Sequence, residues 1–199
     1  MSSYEFAERP AEPGAPLLLL FHGTGGDEHQ FMSVGAQLAE GAHLIAPRGD
    51  VSENGALRFF KRLGEGVYDM PDLARATDKM AAFIRGAIAT NQPSSVLAMG
   101  YSNGANILAN VLINQPDLID KAALLHPMIP FAPKAQPGLA GTEVLITSGR
   151  RDTMGPPAAT EALASYFKAQ GAAVDLVWHD GGHDLRQSEL IAARDLFSR

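Results

Sequence analysis

The chain has 199 residues, 46% of them hydrophobic and 19% charged, with a formal net charge of −6 and no cysteine. That length fits one domain, residues 1–199, able to bury about 70% of the surface that its unfolded chain exposes, and no stretch approaches the roughly 20 apolar residues of a membrane span. Without cysteine there can be no disulfide, thiolate metal site or cysteine nucleophile, and an acidic balance with no dense Lys/Arg run argues against nucleic acid or an anionic membrane as the main partner.

Residues 1–16 carry acidic side chains and prolines rather than a basic segment followed by an apolar one, so they do not read as a signal peptide, and a cytoplasmic protein is expected. Apolar runs of strand length then recur at 16–21, 43–46, 96–101, 121–125, 143–148 and 173–178. Most are near-continuous, the pattern of parallel strands covered on both faces. Between them lie helical patterns. Asp27 can cap a turn with Gln30 at capping-box spacing, ahead of an apolar stripe of Phe31, Val34 and Leu38. The clearest helix runs over 72–90, with Leu73, Ala76, Met80, Phe83, Ile84, Ala87 and Ile88 at steps of three and four behind Pro71. A helix over 157–170 presents Leu163, Tyr166 and Phe167 and stops at Gly171, and a last one over 187–197 presents Leu190, Ile191 and Phe197.

Strands alternating with helices predict a doubly wound, mostly parallel α/β sheet with helices on both faces. In such sheets the chemistry gathers where strands end at their carboxyl side. The segment 47–70 is the longest irregular connection and has Asn54-Gly55 as a turn. Its Phe59, Phe60, Tyr68 and Met70 are unusual for a solvated loop; they are expected at the rim of a site, the alternative being that they plug the core.

Gly100-Tyr101-Ser102-Asn103-Gly104 joins the 96–101 strand to a helix-compatible stretch ending near Asn114, the context in which G-x-S-x-G is a nucleophile elbow. A serine on so sharp a turn leaves no room for side chains on the flanking glycines. Taken alone, the motif would also fit a surface loop of small residues. A serine hydroxyl needs a base, and the base needs an acid to orient it. Of six histidines, His183 follows the last strand in Asp180-Gly181-Gly182-His183, where glycines permit a turn back over the strand ends. His126 also follows a strand and is its rival, otherwise a pocket-wall residue with Met128 and Ile129. His22 reads as structural, His29 and His43 as surface or helix-adjacent, and His179 as pointing away from His183. Asp152, in Ser148-Gly149-Arg150-Arg151-Asp152, follows the intervening strand and completes the order Ser, Asp, His. Asp180 and Asp184 read as solvated loop carboxylates or, for Asp184, a helix cap. Phe21-His22-Gly23-Thr24-Gly25-Gly26 offers backbone donors for an oxyanion. A phosphate-binding loop would look similar, but the lysine and the dinucleotide glycine spacing are missing. The N–H groups of Thr24 and Asn103 are the expected donors.

These motifs, with Ala46-Pro47-Arg48-Gly49 and Arg58-Phe59-Phe60, resemble the phospholipase/carboxylesterase family of serine α/β hydrolases, from the Leu17 strand to the last helix. The resemblance implies the α/β-hydrolase fold and ester hydrolysis without metal or other cofactor through Ser102, Asp152 and His183. Asn103 and Thr24 depart from the acyl-protein thioesterase pattern, which commonly has glutamine and leucine there, and so favour the small carboxylesterase branch. Dienelactone hydrolases share the fold but use cysteine, and are set aside on Ser102. The expectation is a carboxylesterase for small to medium acyl groups, open for want of a cap domain and rimmed by Phe59, Phe60, Met128 and Met154. It would act on a small-molecule ester as a monomer or homodimer. A thioesterase, a lysophospholipase and a non-catalytic ligand-binding module on the same fold are the alternatives.

Overall fold

The structure, a computed structural model, describes residues 4–199, so the first three residues of the acidic N-terminal stretch lie outside it. Five runs of apolar sequence become the parallel strands β2 (Leu17–Phe21), β3 (His43–Pro47), β8 (Val96–Tyr101), β9 (Lys121–Leu125) and β10 (Glu143–Gly149), and β11 (Ala173–His179) closes that side of the sheet. A strand with no apolar signature, β1 (Phe6–Arg9), pairs antiparallel with β3 at the other edge. The order is β1-β3-β2-β8-β9-β10-β11.

Alternation along β2 shows how the sheet is covered. Leu17, Leu19 and Phe21 enter one core with α2 (Met70–Asn91), α3 (Asn103–Asn114) and α4 (Pro157–Ala169), whereas Leu18 and Leu20 face α1 (Met32–Leu38) and α5 (Gln187–Phe197). Successive side chains on a strand point to opposite faces, so a run with no polar gap serves both layers.

Several expected local features differ. The turn at Asp27 forms, its side chain accepting from the N–H of His29 at 2.9 Å, but the helix begins only at Met32. Gln30 makes no capping box; its Oε1 accepts from Gly23 N–H at 2.9 Å and braces the glycine loop. In α5 the buried positions are Glu189, Ala193 and Leu196, while Ile191 is exposed. His43 is buried, with Nε2 2.8 Å from Glu8 Oε1, because β1 covers it. The 47–70 connection holds two short hairpins, β4 (Val51–Glu53) with β5 (Ala56–Arg58) and β6 (Arg62–Gly64) with β7 (Val67–Tyr68). Phe59 and Phe60 do not stand at a rim: both are fully buried, Phe59 packing edge-on to Phe21 at 5.8 Å and Phe60 on Tyr68 at 4.8 Å. Two large rings gain more from the core than from a half-wet edge, and they pin the connection to the body of the protein.

The two elbow glycines are steric necessities. A Cβ at Gly100 would stand 2.5 Å from the carbonyl oxygen of Gly104, and one at Gly104 would collide with the carbonyls of Phe21 and His22. Backbone cannot yield as a side-chain tip can. Gly104→Ala should therefore lower stability by about 1–3 kcal/mol, read as a fall in thermal midpoint of about 2–4 °C per kcal/mol; an unchanged midpoint would contradict this packing.

Candidate active site

The carboxyl ends of β2, β8, β9, β10 and β11 deliver the functional side chains to one edge of the sheet, each on the turn that follows its strand. Ser102 sits at φ 52°, ψ −117°, a conformation that side chains rarely adopt, held by its N–H to Leu125 C=O at 2.9 Å and its C=O to Asn106 N–H at 2.9 Å. The strain lifts Oγ off the sheet. His183 Nε2 lies 2.9 Å from that Oγ, and its Nδ1 lies 2.8 Å from Asp152 Oδ2. The other oxygen of Asp152 accepts from the N–H groups of Met154 at 2.8 Å and Gly155 at 3.0 Å.

Close approach of two loops makes these distances possible. A Cβ on Gly149 would strike the carbonyls of Gly181 and Gly182, so only glycine lets the histidine loop settle against the end of β10, where Arg150 and Arg151 donate to His179 C=O and Gly181 C=O at 2.8 and 2.9 Å. Tyr101 secures the loop from the other side, its hydroxyl donating to His183 C=O at 2.7 Å. Asp180 and Asp184 are exposed, and α5 is capped at Arg186, not at Asp184.

The backbone N–H groups of Thr24 and Asn103 have no hydrogen-bond partner among the described residues. The loop bearing Thr24 is rigid by construction. Arg58 Nη1 donates to Thr24 Oγ1 at 2.7 Å, and Gly25 N–H donates to Leu57 C=O at 2.9 Å. His22 is structural, its Nε2 accepting from Gly49 N–H at 2.9 Å, with burial pushing its pKa down. Asn103 Oδ1 accepts from Phe59 N–H at 2.8 Å, tying the helix start to the hairpin connection.

The cavity at Ser102 measures about 40 Å³ and is lined by Thr24, Arg58, Tyr68, Met128, Met154 and His183, among others, with Glu65 and Gly66 of the β6–β7 turn also in its wall. Met128 and Met154 line it as expected, whereas Phe59 and Phe60 do not. Tyr68, expected at the rim, does line it, and Arg58, Arg62 and Asn106 are lining residues that sequence reasoning missed. A larger cavity of about 480 Å³ lies between α2, α3 and the 131–136 segment and holds none of the groups just described, so its size does not make it the seat of this chemistry.

His126 is no rival for the serine. Its ring is fully buried beneath Asp152, with Nδ1 2.8 Å from Asp152 Oδ2 and Nε2 3.1 Å from Glu189 Oε1. Ile129 is buried in the core, away from this cavity. Glu189 also accepts from Thr147 Oγ1 and from Arg186 N–H at 2.7 Å, and lies 3.4 Å from His179 Nε2. Burial works against a charge on His126, but its hydrogen bonds to Glu189 and Asp152 outweigh that and raise its pKa above the ordinary 6.5. For Asp152 and Glu189 burial pushes upward, and the histidine and N–H or hydroxyl donors around each outweigh it and hold both below the usual carboxylate range. His126, His179 and Glu189 stand close enough to share a metal ion. Their lone pairs are committed otherwise: His179 Nδ1 accepts from Gly181 N–H at 2.9 Å, which leaves its proton on Nε2, and His126 Nδ1 donates to Asp152.

A mostly parallel sheet with a serine on the strained turn after a central strand, and an aspartate and a histidine on later strand ends, defines an α/β hydrolase. The chain belongs to the Dienelactone hydrolase family, whose sequence profile matches residues 6–188. Ser102 in place of cysteine does not put the chain outside that family, contrary to expectation: the match extends over nearly the whole chain, and one side-chain atom weighs little against the pattern of strands and helices. MhqD of Bacillus subtilis (strain 168), which carries a provisional hydrolase description, is 44% identical over 183 residues, 91% of this chain and 92% of its own. Among solved structures, the protein Atu2452 of unknown function from Agrobacterium tumefaciens str. C58 is 52% identical with a TM-score of 0.92, covering 98% of this chain and 96% of that one. The Bacillus cereus carboxylesterase is 33% identical, also with a TM-score of 0.92, covering 98% and 93%. The chain is thus a hydrolase of the dienelactone hydrolase and carboxylesterase type. Among the described residues no helix is long and apolar enough to cross a membrane.

The buried ion network gives stability a pH dependence of known sign. His126, raised above 6.5, contributes stability that is complete below that value and is lost as pH climbs through its folded value; the depressed carboxylates contribute stability that is lost as pH falls through theirs. On the alkaline side of pH 6.5, the thermal midpoint of the protein should decline, and that decline should be shallower in His126→Gln. Parallel curves for the two proteins would contradict a charged His126.

Proposed function

We propose that the protein is a serine carboxylesterase that turns over esters of small to medium acyl groups through an acyl-enzyme on Ser102. One observation carries this: His183 bridges Ser102 Oγ at 2.9 Å and Asp152 Oδ2 at 2.8 Å, a nucleophile, base and acid in hydrogen-bond register. His183 Nε2 takes the hydroxyl proton as Ser102 Oγ bonds to the ester carbonyl carbon. The oxyanion falls to the N–H groups of Thr24 and Asn103, each worth about 3 kcal/mol in the transition state. Collapse expels the alcohol with the proton from His183. Water then gives its proton to His183, attacks the acyl carbon and frees the acid, and Asp152 remains ionised throughout. The small cavity walled in part by the β6–β7 turn favours short acyl groups over the long chains of a lysophospholipase, and the likeness to the Bacillus cereus carboxylesterase supports the ester as the bond cleaved. The narrower place within the phospholipase/carboxylesterase branch belongs to this proposal, resting on the motifs around Thr24 and Asn103.

A fluorophosphonate probe should label the folded protein on Ser102, and Ser102→Ala should abolish labelling while lowering ester turnover by a factor on the order of 10³–10⁶. Asp152→Asn should be far more damaging than Asp180→Asn, whose carboxylate is exposed; the reverse order would displace Asp152 from its role. Among p-nitrophenyl esters from acetate to long chains, acetate and butyrate should be turned over best. A long-chain optimum would defeat the assignment to small acyl groups.

A further inference from the structure

The acid of the candidate triad has two histidines, not one. Asp152 Oδ2 accepts from His183 Nδ1 and from His126 Nδ1, each at 2.8 Å, and the two rings stand 5.0 Å apart. Asp152, an ionised acceptor, obliges His126 to carry its proton on Nδ1. On the opposite edge of that ring, Nε2 faces both oxygens of Glu189, at 3.1 and 3.3 Å. His179 Nε2 also stands 3.3 Å from His126 Nε2, but a bare lone pair there would be repelled by the two Glu189 oxygens, so the site between the two carboxylates favours a proton on Nε2 and a positive His126. The elements packed around it present a complete set of partners: Tyr101 from β8, whose phenol burial keeps neutral, Asp152 after β10, His179 at the end of β11, His183 on the next loop and Glu189 from α5. Glu189 has no role in the acyl-transfer cycle. It is nevertheless a fully buried carboxylate that collects donors from Thr147, Arg186, His126 and His179.

We propose that Glu189 and His126 are positioning residues of the triad, a charged extension that fixes the Asp152 carboxylate and sets the lowest pH at which His183 still serves as a base. The physical reason is competition at one oxygen. A positive ring already on Asp152 Oδ2 takes up part of its charge and repels a second positive ring, so it opposes protonation of His183 in the resting enzyme. The base therefore stays free at a lower pH than an Asp–His pair alone would allow. Such a device lowers the pull of Asp152 on its catalytic partner and in exchange widens the working range on the acid side.

This inference rests on the acyl-transfer reading, and its test separates the two. The rate of fluorophosphonate labelling of Ser102 is followed against pH in the unmodified protein and in Glu189→Gln, whose amide can donate to His126 Nε2 and so leaves that ring neutral without a gap. The acid limb of the labelling rate should move to higher pH by about half a unit to one unit. The double variant His126→Gln/Glu189→Gln, which strands no buried charge, should shift it in the same direction. Because acid unfolding would move the limb in the same direction, the folded fraction is measured at each pH by circular dichroism and the limb is read only where each protein is fully folded. Limbs coincident with that of the unmodified protein, or displaced to lower pH, would overturn the inference while leaving Ser102 as the nucleophile. Absence of labelling in the unmodified protein would instead overturn the acyl-transfer reading.

Discussion

Asp152 is the group on which the end of the sheet converges. Its four hydrogen bonds come from the turn that carries it, from the loop after β11 and from the turn after β9, so three separate connections are registered against a single buried carboxylate. An anion with no exposed surface is tolerable only when each oxygen is satisfied. Here the requirement does structural work: moving any one of the three loops would leave a charge unpaired in the interior. The histidine that faces Ser102 is held from Nδ1 by this carboxylate and from its carbonyl oxygen by Tyr101, and those two restraints aim Nε2 at the serine.

A second constraint acts on Ser102. Gly100 and Gly104 permit backbone contacts that no side chain would allow, and they let Ser102 occupy a φ that the chain would otherwise avoid. The price is rigidity at every neighbour. Asn103, one residue on, spends its side-chain oxygen on Phe59 N–H, and Phe59 is sunk between Phe21 and His22. Arg58, the residue before, reaches to Thr24. Thus the irregular connection between β3 and α2 couples the elbow to the loop that bears the candidate oxyanion donor. Its aromatic residues act as anchors for that coupling, a role consistent with their complete burial.

What the amino-acid sequence revealed, and what it hid, follows from the range of each signal. Parallel strands need apolar cover on both faces, which writes itself into consecutive residues, so β2, β3, β8, β9, β10 and β11 could be located within a residue or two. Ser102, Asp152 and His183, which the structure brings within hydrogen-bond distance, could be singled out because each lies just past one of those strands, a local cue. Nothing local marks β1: Phe6-Ala7-Glu8-Arg9 is a polar edge strand that exists only because β3 offers it a partner. Phe59 and Phe60 show the same limit, since an aromatic side chain in an irregular segment has one composition whether it faces a ligand or the core. Glu189 was hidden for the opposite reason, because a charged residue in the first turn of a helix is ordinarily read as solvated. Its burial depends on His126, 63 residues earlier in the chain.

Family membership and nucleophile chemistry are also separable in physical terms. The restraints just described act on backbone: glycine contacts around the elbow, N–H donors on the acid, a tyrosine on the histidine loop. None of them touches Oγ itself, and so the same frame can present either a hydroxyl or a thiol at that point. Which of the two stands there decides how much help the base must give, since a thiol ionises near neutral pH and a hydroxyl does not. On the proposed acyl-transfer reading, with Ser102 the burden falls on His183, and through it on how Asp152 is shared between His183 and His126. On that reading the electrostatics around Asp152 matter more for this chain than they would for a thiol on the same scaffold.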